Sequence, residues 1–175
     1  MYYKSSYTSP FGQMTIVSND QAIKGLWFND QRYFGGKYDL QTMVEGETPV
    51  TKQVKNWLDA YFAGENPTLD PNILDPEVTS YRKEILNALI SVPYGQTTSY
   101  KELADKVALT TPGKKGSARA AGGAVGHNPI SILIPCHRVV ATNGALTGYA
   151  GGIDRKIALL ALEGIDQSKL DNHKV

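Results

Sequence analysis

The hydrophobic pattern of this chain changes once along its length, from the alternation of β-strands to the spacing of α-helices, and that change limits the fold more than any other feature. Tyr2 to Tyr7 alternates and is followed by the turn Ser9-Pro10-Phe11-Gly12. Gln13 to Ser18 puts Met14 and Ile16 on one face, and Asn19-Asp20 turns the chain into Ile23 to Phe28. These segments read as antiparallel strands joined by short turns. Residues 29–47 are polar and read as a loop with little regular structure. A helix is expected from Thr48, with Thr48 as N-cap and Pro49 at the first helical position. Val50, Val54, Trp57, Leu58 and Tyr61 fall on one of its faces, and Gly64 supplies a left-handed stop. Pro67, Pro71 and Pro76 mark residues 65–77 as a linker. The fold class is therefore α+β, with a small N-terminal α+β domain over 1–77 and a second, mostly helical domain over 78–175.

In that second half Val78 to Ile90 has helical periodicity and stops before Pro93. Ser99-Tyr100-Lys101-Glu102 is a capping box that opens a short helix with Tyr100, Leu103, Ala104 and Val107 on one face. After a loop from Thr110 to Gly116, Ser117 to Gly126 reads as a helix with Ala118, Ala121, Gly122 and Val125 inward. Two short helices joined by a glycine-containing loop fit a helix-turn-helix and, equally, a plain helical hairpin. The outward positions Arg119, Gly123 and Gly126 leave one long cation beside a ridge almost without side chains. Such a ridge suits close approach to a partner or close helix–helix packing.

Net charge is +1, but residues 1–93 carry 8 Lys+Arg and 11 Asp+Glu, and residues 94–175 carry 10 and 6. The basic second half suits a polyanion, although two ordinary solvated surfaces also account for it. No apolar stretch is long enough to cross a bilayer, and the start Met-Tyr-Tyr-Lys has no secretory signal character, so a cytoplasmic protein with no membrane partner is expected. The single cysteine, Cys136, excludes an internal disulfide and any multi-thiolate zinc site. His127, His137 and His173 are too scattered for a metal cage, so neither metal nor cofactor is expected.

Ile130 to Ile134 reads as a buried strand that Pro135 ends, presenting Cys136-His137-Arg138 at its tip. A thiol reacts as thiolate and needs a base or positive neighbours. Neighbours on an extended chain point in opposite directions, so His137 reaches Cys136 only through a bend or a bridging water. The base needs an orienting acid, and Glu163 is the candidate, at the end of a helix over Asp154 to Leu162. A buried, inert cysteine is the competing reading.

The stretch Ile134-Pro135-Cys136-His137-Arg138-Val139 resembles the active-site signature of the O6-alkylguanine-DNA alkyltransferases. Val92-Pro93-Tyr94-Gly95, Ser99-Tyr100, Ala118-Arg119-Ala120, Gly123-Ala124, Asn128-Pro129, Gly148-Tyr149, Gly151-Gly152 and Leu162-Glu163-Gly164 resemble further family motifs, in the same order. The resemblance covers roughly residues 79–165, and the N-terminal part matches in layout only. It implies a ribonuclease-H-like N-terminal layout and a C-terminal helix-turn-helix domain carrying the active-site cysteine. It implies repair of O6-alkylguanine, and of O4-alkylthymine, in double-stranded DNA by one irreversible transfer to Cys136, with minor-groove binding and nucleotide flipping by a monomer.

By the same resemblance His137 and Glu163 activate the thiol through a water, and Tyr100 helps rotate the nucleotide and donates to the purine. Arg119 fills the gap left by the flipped base, with Ala118, Gly122, Gly123 and Arg138 also expected at the DNA. Asn128, Pro135, Val139, Tyr149, Ala150 and Gly151 form the substrate pocket. Three departures stand out. Ala150 replaces a hydroxyl residue common in the family. The loop Thr110 to Gly116 is longer than usual, so that Lys114-Lys115 adds a phosphate contact. The N-terminal part has no Cys or His for the structural zinc of some relatives. Rival readings are a module that binds lesions without repairing them, which in this family carries Trp in place of the cysteine, and a cysteine hydrolase, for which no oxyanion motif is present.

Overall fold

The computed structural model describes residues 1–110, 117–141 and 149–165. Gly148, His173 and the Lys114-Lys115 pair lie outside them. The chain divides into two compact units, Met1–Glu77 with Pro129–Ser131, and Val78–Asn128 with Ile132–Val175. Residues 129–131, which the sequence pattern assigns to the second half, are part of the first unit.

In the first unit β1 (Tyr3–Ser9), β2 (Gly12–Ser18) and β3 (Ile23–Phe28) form an antiparallel meander. Gly12, at φ +131°, makes the tight turn that pairs Ser9 with Gly12 and sets the register to Tyr3–Ser18. A short β4 (Val44–Glu45) adds in parallel to the free edge of β1, within a stretch expected to be irregular. The helix α1 (Pro49–Phe62) starts where its cap dictates, the Thr48 hydroxyl accepting from the Thr51 N–H at 3.2 Å. Thr48, Thr51 and Ser18 form a buried triangle of hydroxyls with sides of 2.9 to 3.0 Å, which ties α1 to the strand β2.

The linker reading of 65–77 does not describe the chain's behaviour. Pro71–Ile73 is a 3-10 turn, Leu74 bridges Ile23 in parallel, and the Asp75 N–H donates to the Ile23 carbonyl at 2.9 Å. Lys24 pairs with Asp75, and the hydroxyls of Tyr2 and Tyr38 both donate to Glu77. The prolines stiffen a segment that serves as an edge to the sheet. Near the other end of the sequence, Ile130 bridges Leu26, with the Leu26 N–H on the Pro129 carbonyl at 2.8 Å and the Ser131 N–H on the Leu26 carbonyl at 2.9 Å.

The second unit holds α2 (Ser80–Ile90), α3 (Tyr100–Thr110), α4 (Ala118–Gly126) and α5 (Ile153–Leu162). The capping box is present, the Ser99 hydroxyl accepting from the Glu102 N–H at 3.1 Å. Ser117 caps α4 by accepting from the Ala120 N–H at 3.0 Å. Ala121, Ala124 and Val125 are the buried residues of α4, and Ala118, expected inward, is exposed with Arg119. A two-residue parallel pair, β5 (Thr98–Ser99) with β6 (Val139–Val140), had no sequence signal. No helix among the described residues is long and apolar enough to cross a membrane.

Candidate active site

The segment before the cysteine is buried but is not a strand. Only Ile130 makes a β-bridge, and Ile132 turns at φ +69°, which costs a β-branched residue on the order of 1–2 kcal/mol. The turn is held by Asn128, whose Nδ2 donates to the Ile134 carbonyl at 2.9 Å, so a side chain does what a strand ladder would have done. Pro135 then leads into a single 3-10 turn, Cys136–Arg138, with the Arg138 N–H on the Pro135 carbonyl at 2.9 Å. Three residues per turn fan the side chains of Cys136, His137 and Arg138 about 120° apart. This is the bend that lets the consecutive side chains of His137 and Arg138 converge on one carboxylate.

Glu163 caps the C-terminus of α5, and its side chain is fully buried. His137 Nε2 lies 2.6 Å from Glu163 Oε2, and a carboxylate only accepts, so Nε2 carries the proton and Nδ1 is left as the basic nitrogen. Arg138 grips the same carboxylate, Nε to Oε1 at 2.8 Å and Nη2 to Oε2 at 3.1 Å, while its Nη1 donates to the Val92 carbonyl at 2.7 Å. The Gly95 N–H adds a bond to Oε1 at 3.1 Å, and the Tyr94 ring lies under the guanidinium. Burial pushes the Glu163 carboxyl up, but the hydrogen bonds and charges of His137 and Arg138 outweigh it and hold the group at about 2. Burial lowers the His137 imidazole, against the pull of Glu163, with the charges of Arg138 and Lys156 acting in the same direction as burial. The resting dyad is a neutral imidazole on an ionised carboxylate.

The expectation of Arg138 at the DNA is corrected by this geometry: the guanidinium is buried, and its donors are taken up by Glu163 and Val92. Lys156, one of the ten basic residues of the second half, is likewise internal. It is 1% exposed, and its ammonium donates to the Val139 carbonyl. Burial lowers it to about 8, with the charge of the Cys136 thiolate pulling it back up. Its place was readable, because Lys156 falls in one stripe with Leu159, Leu160 and Glu163, the inner face of α5. Cys136 is 4% exposed. Burial pushes its thiol up, and the Asn128 side chain, the Lys156 charge and backbone N–H groups of Cys136 and His137 pull it down without cancelling the burial.

The remaining site residues stand in two groups. Tyr100 opens α3 beside α4, its ring 3.8 Å from where a Cβ on Gly122 would sit, with Ala118, Arg119 and Gly123 on the same helix α4. Tyr149, Ala150 and Gly151 form the turn that enters α5, with the Gly152 N–H on the Tyr149 carbonyl at 3.1 Å. A Cβ on Gly151 would stand 2.5 Å from the Tyr149 ring, so any larger residue there makes the ring shift from its place over the backbone. Val139 lies buried in β6, and Pro135 caps the 3-10 turn.

Two family models match the chain. The 6-O-methylguanine DNA methyltransferase DNA-binding domain matches residues 80–165, and the ribonuclease-like domain of the same enzymes matches residues 1–75. The chain belongs to the O6-methylguanine DNA methyltransferase family. Among relatives of this methyltransferase, the methylated-DNA–protein-cysteine methyltransferase of Mycobacterium bovis is 39% identical, covering 93% of each chain. That of Methanosarcina acetivorans is 38% identical over 94% of this chain and 99% of its own. The Mycobacterium tuberculosis OGT, solved in complex with DNA, superposes with a TM-score of 0.77 at 37% identity, covering 97% of this chain and 96% of that one. The α+β class read from the sequence is the class of these neighbours.

Proposed function

We propose that this protein is a methylated-DNA–protein-cysteine methyltransferase that repairs O6-alkylguanine in double-stranded DNA, moving the alkyl group to Cys136 once per chain. The observation that carries this reading is the only cysteine of the chain set on a 3-10 turn whose next two side chains clamp a buried carboxylate. His137 takes the thiol proton, directly or through a water, and Glu163 steadies the imidazolium that forms. Lys156 and the Asn128 amide favour the thiolate. The Cys136 sulfur attacks the alkyl carbon, the bond from that carbon to O6 breaks with its electron pair leaving on guanine, and Tyr100 supplies a proton to the base. The thioether has no route back, so the chain is consumed.

The target atom lies inside the base stack, and extrusion costs about a few kcal/mol. Arg119, exposed on α4, fills the vacated space, and the small residues Ala118, Gly122 and Gly123 let the helix backbone approach the minor groove. Tyr149, Ala150 and Gly151 line the pocket with Pro135 and Val139. The protein works as a monomer in the cytoplasm without metal or cofactor, and O4-alkylthymine is a second substrate.

An oligonucleotide containing O6-methylguanine tests this by intact mass and peptide mapping. The expected result is one methyl per chain, on the peptide that holds Cys136, with a stoichiometric end-point. Turnover beyond one equivalent, or tight binding with no mass change, overturns it.

A further inference from the structure

All five arginines of the chain are described, and three have partners within it. Arg32 donates to the Tyr33 hydroxyl, Arg138 clamps Glu163, and Arg155 donates to the Gly151 carbonyl. Among the described residues no carboxylate, carbonyl or ring partners the guanidinium of either Arg82 or Arg119. These two come together. Arg119, Gly123 and Gly126 follow at helical spacing on one face of α4. Arg82 reaches that face from the first turn of α2, its Nη2 3.9 Å from where a Cβ on Gly123 would stand. Around Gly126 nothing lies within 4 Å of the same position.

A half-buried guanidinium with no counter-charge among the described residues is a poor choice for stability, since it loses hydration and gains no ion pair from them. Its planar fork matches a phosphodiester in two parallel hydrogen bonds. The absence of side chains at Gly123 and Gly126 leaves room for a sugar-phosphate strand to come within reach. Arg119 and Arg82 then have separate tasks on one helix face, the first exposed at its start and the second flanking it from α2.

We propose that Arg82 clamps a backbone phosphate of the DNA strand that runs along the Gly123 face of α4. This rests on the repair function proposed above, and the test separates the two. A protein that neutralises one phosphate fewer loses about 0.9 from the slope of log binding constant against log salt. Fluorescence anisotropy with an unmodified duplex, at salt from 0.05 to 0.5 M, compares the parent with Arg82→Gln, Arg82→Lys and, as a control in α1, Lys52→Gln. Arg82→Gln is expected to flatten the slope by about 0.9, equivalent to roughly eightfold weaker binding at 0.1 M salt relative to 1 M. Arg82→Lys keeps the slope, because the charge is kept, and Lys52→Gln keeps it too.

With duplex O6-methylguanine the Arg82→Gln defect in the transfer rate appears at low DNA concentration and is recovered at saturation. An unchanged slope in Arg82→Gln overturns the proposal, as does an equal loss of reaction with the free alkylated base O6-benzylguanine. The second result would mean that the residue only supports the fold. Failure of the repair function itself is a different result, the absence of methyl transfer in the parent protein.

Discussion

Arg138→Met removes a cation from the buried Glu163 carboxylate while keeping an unbranched side chain of similar length. Glu163 would lose the Nε bond of 2.8 Å and the Nη2 bond of 3.1 Å, and the Val92 carbonyl would lose its donor at 2.7 Å. Of the hydrogen bonds described above, those from His137 and the Gly95 N–H would remain on a fully buried negative charge. Breaking a buried ion pair by deleting one partner costs about 3–5 kcal/mol, a large share of the 5–15 kcal/mol that holds a typical domain together. Urea unfolding at pH 7 is expected to show a loss of that size.

The pH dependence has a definite sign. The folded carboxyl is held at about 2, below its ordinary 4.5, so the stability it contributes is fully present above pH 4.5 and is lost as pH falls towards 2. In Arg138→Met the carboxyl titrates higher, and the gap between variant and parent narrows as pH is lowered below 4.5. The double variant with Glu163→Gln recovers part of the loss, because it leaves no unpaired charge. The prediction fails if Arg138→Met costs under about 1 kcal/mol and instead flattens the salt dependence of DNA binding, the behaviour of the DNA contact that the resemblance implied.

Lys156→Met removes a buried ammonium held at about 8. A base whose folded value lies below its unfolded 10.5 gives a fold that gains stability as pH rises from 8 to 10.5, about 3 kcal/mol for a shift of this size. That rise is expected in the parent relative to Lys156→Met in urea titrations across the window, together with an alkaline shift of Cys136 reactivity towards iodoacetamide in the variant. Gly151→Ala pushes a methyl into the Tyr149 ring, so transfer from duplex O6-methylguanine slows while DNA affinity holds; an unchanged single-turnover rate would show that the ring gives way freely. Arg119→Ala slows transfer from duplex DNA more than reaction with O6-benzylguanine, and equal slowing would contradict its place in the flipped-base gap. Thr48→Ala loses both the cap of α1 and the buried hydroxyl triangle, with an expected cost of about 1–2 kcal/mol by thermal unfolding.

What could be read from the sequence was local. Thr48 with Pro49, the Ser99–Glu102 box and the alternation of Gln13 to Ser18 each act over a few residues, and each appears where expected. The pairing of His137 with Glu163 was legible only because the motifs around both residues resembled a known family, since nothing local joins positions 26 residues apart. Errors arose where tertiary contacts override the local pattern. Ile130 to Ile134 has a strand's composition, yet burial from all sides and the Asn128 amide satisfy it as a turn. The resemblance led to an expectation of Arg138 at the DNA, and the 3-10 turn instead brings it to Glu163. The β5–β6 pair is two residues long and joins Thr98 to Val139, too short and too distant to leave a pattern.

The bridge between Ile130 and Leu26 bears on how this protein can be cut. Three residues from late in the chain are embedded in the first unit, seven positions or fewer before the strained turn and the cysteine. Severing the chain after Glu77 therefore does not release two self-sufficient modules. A fragment from Val78 onward would carry Pro129 and Ser131 with their hydrogen-bond partners on Leu26 removed, immediately upstream of its reactive turn. The strand that holds Leu26 is thus part of what anchors Pro129–Ser131, the three residues from which the chain enters its strained turn.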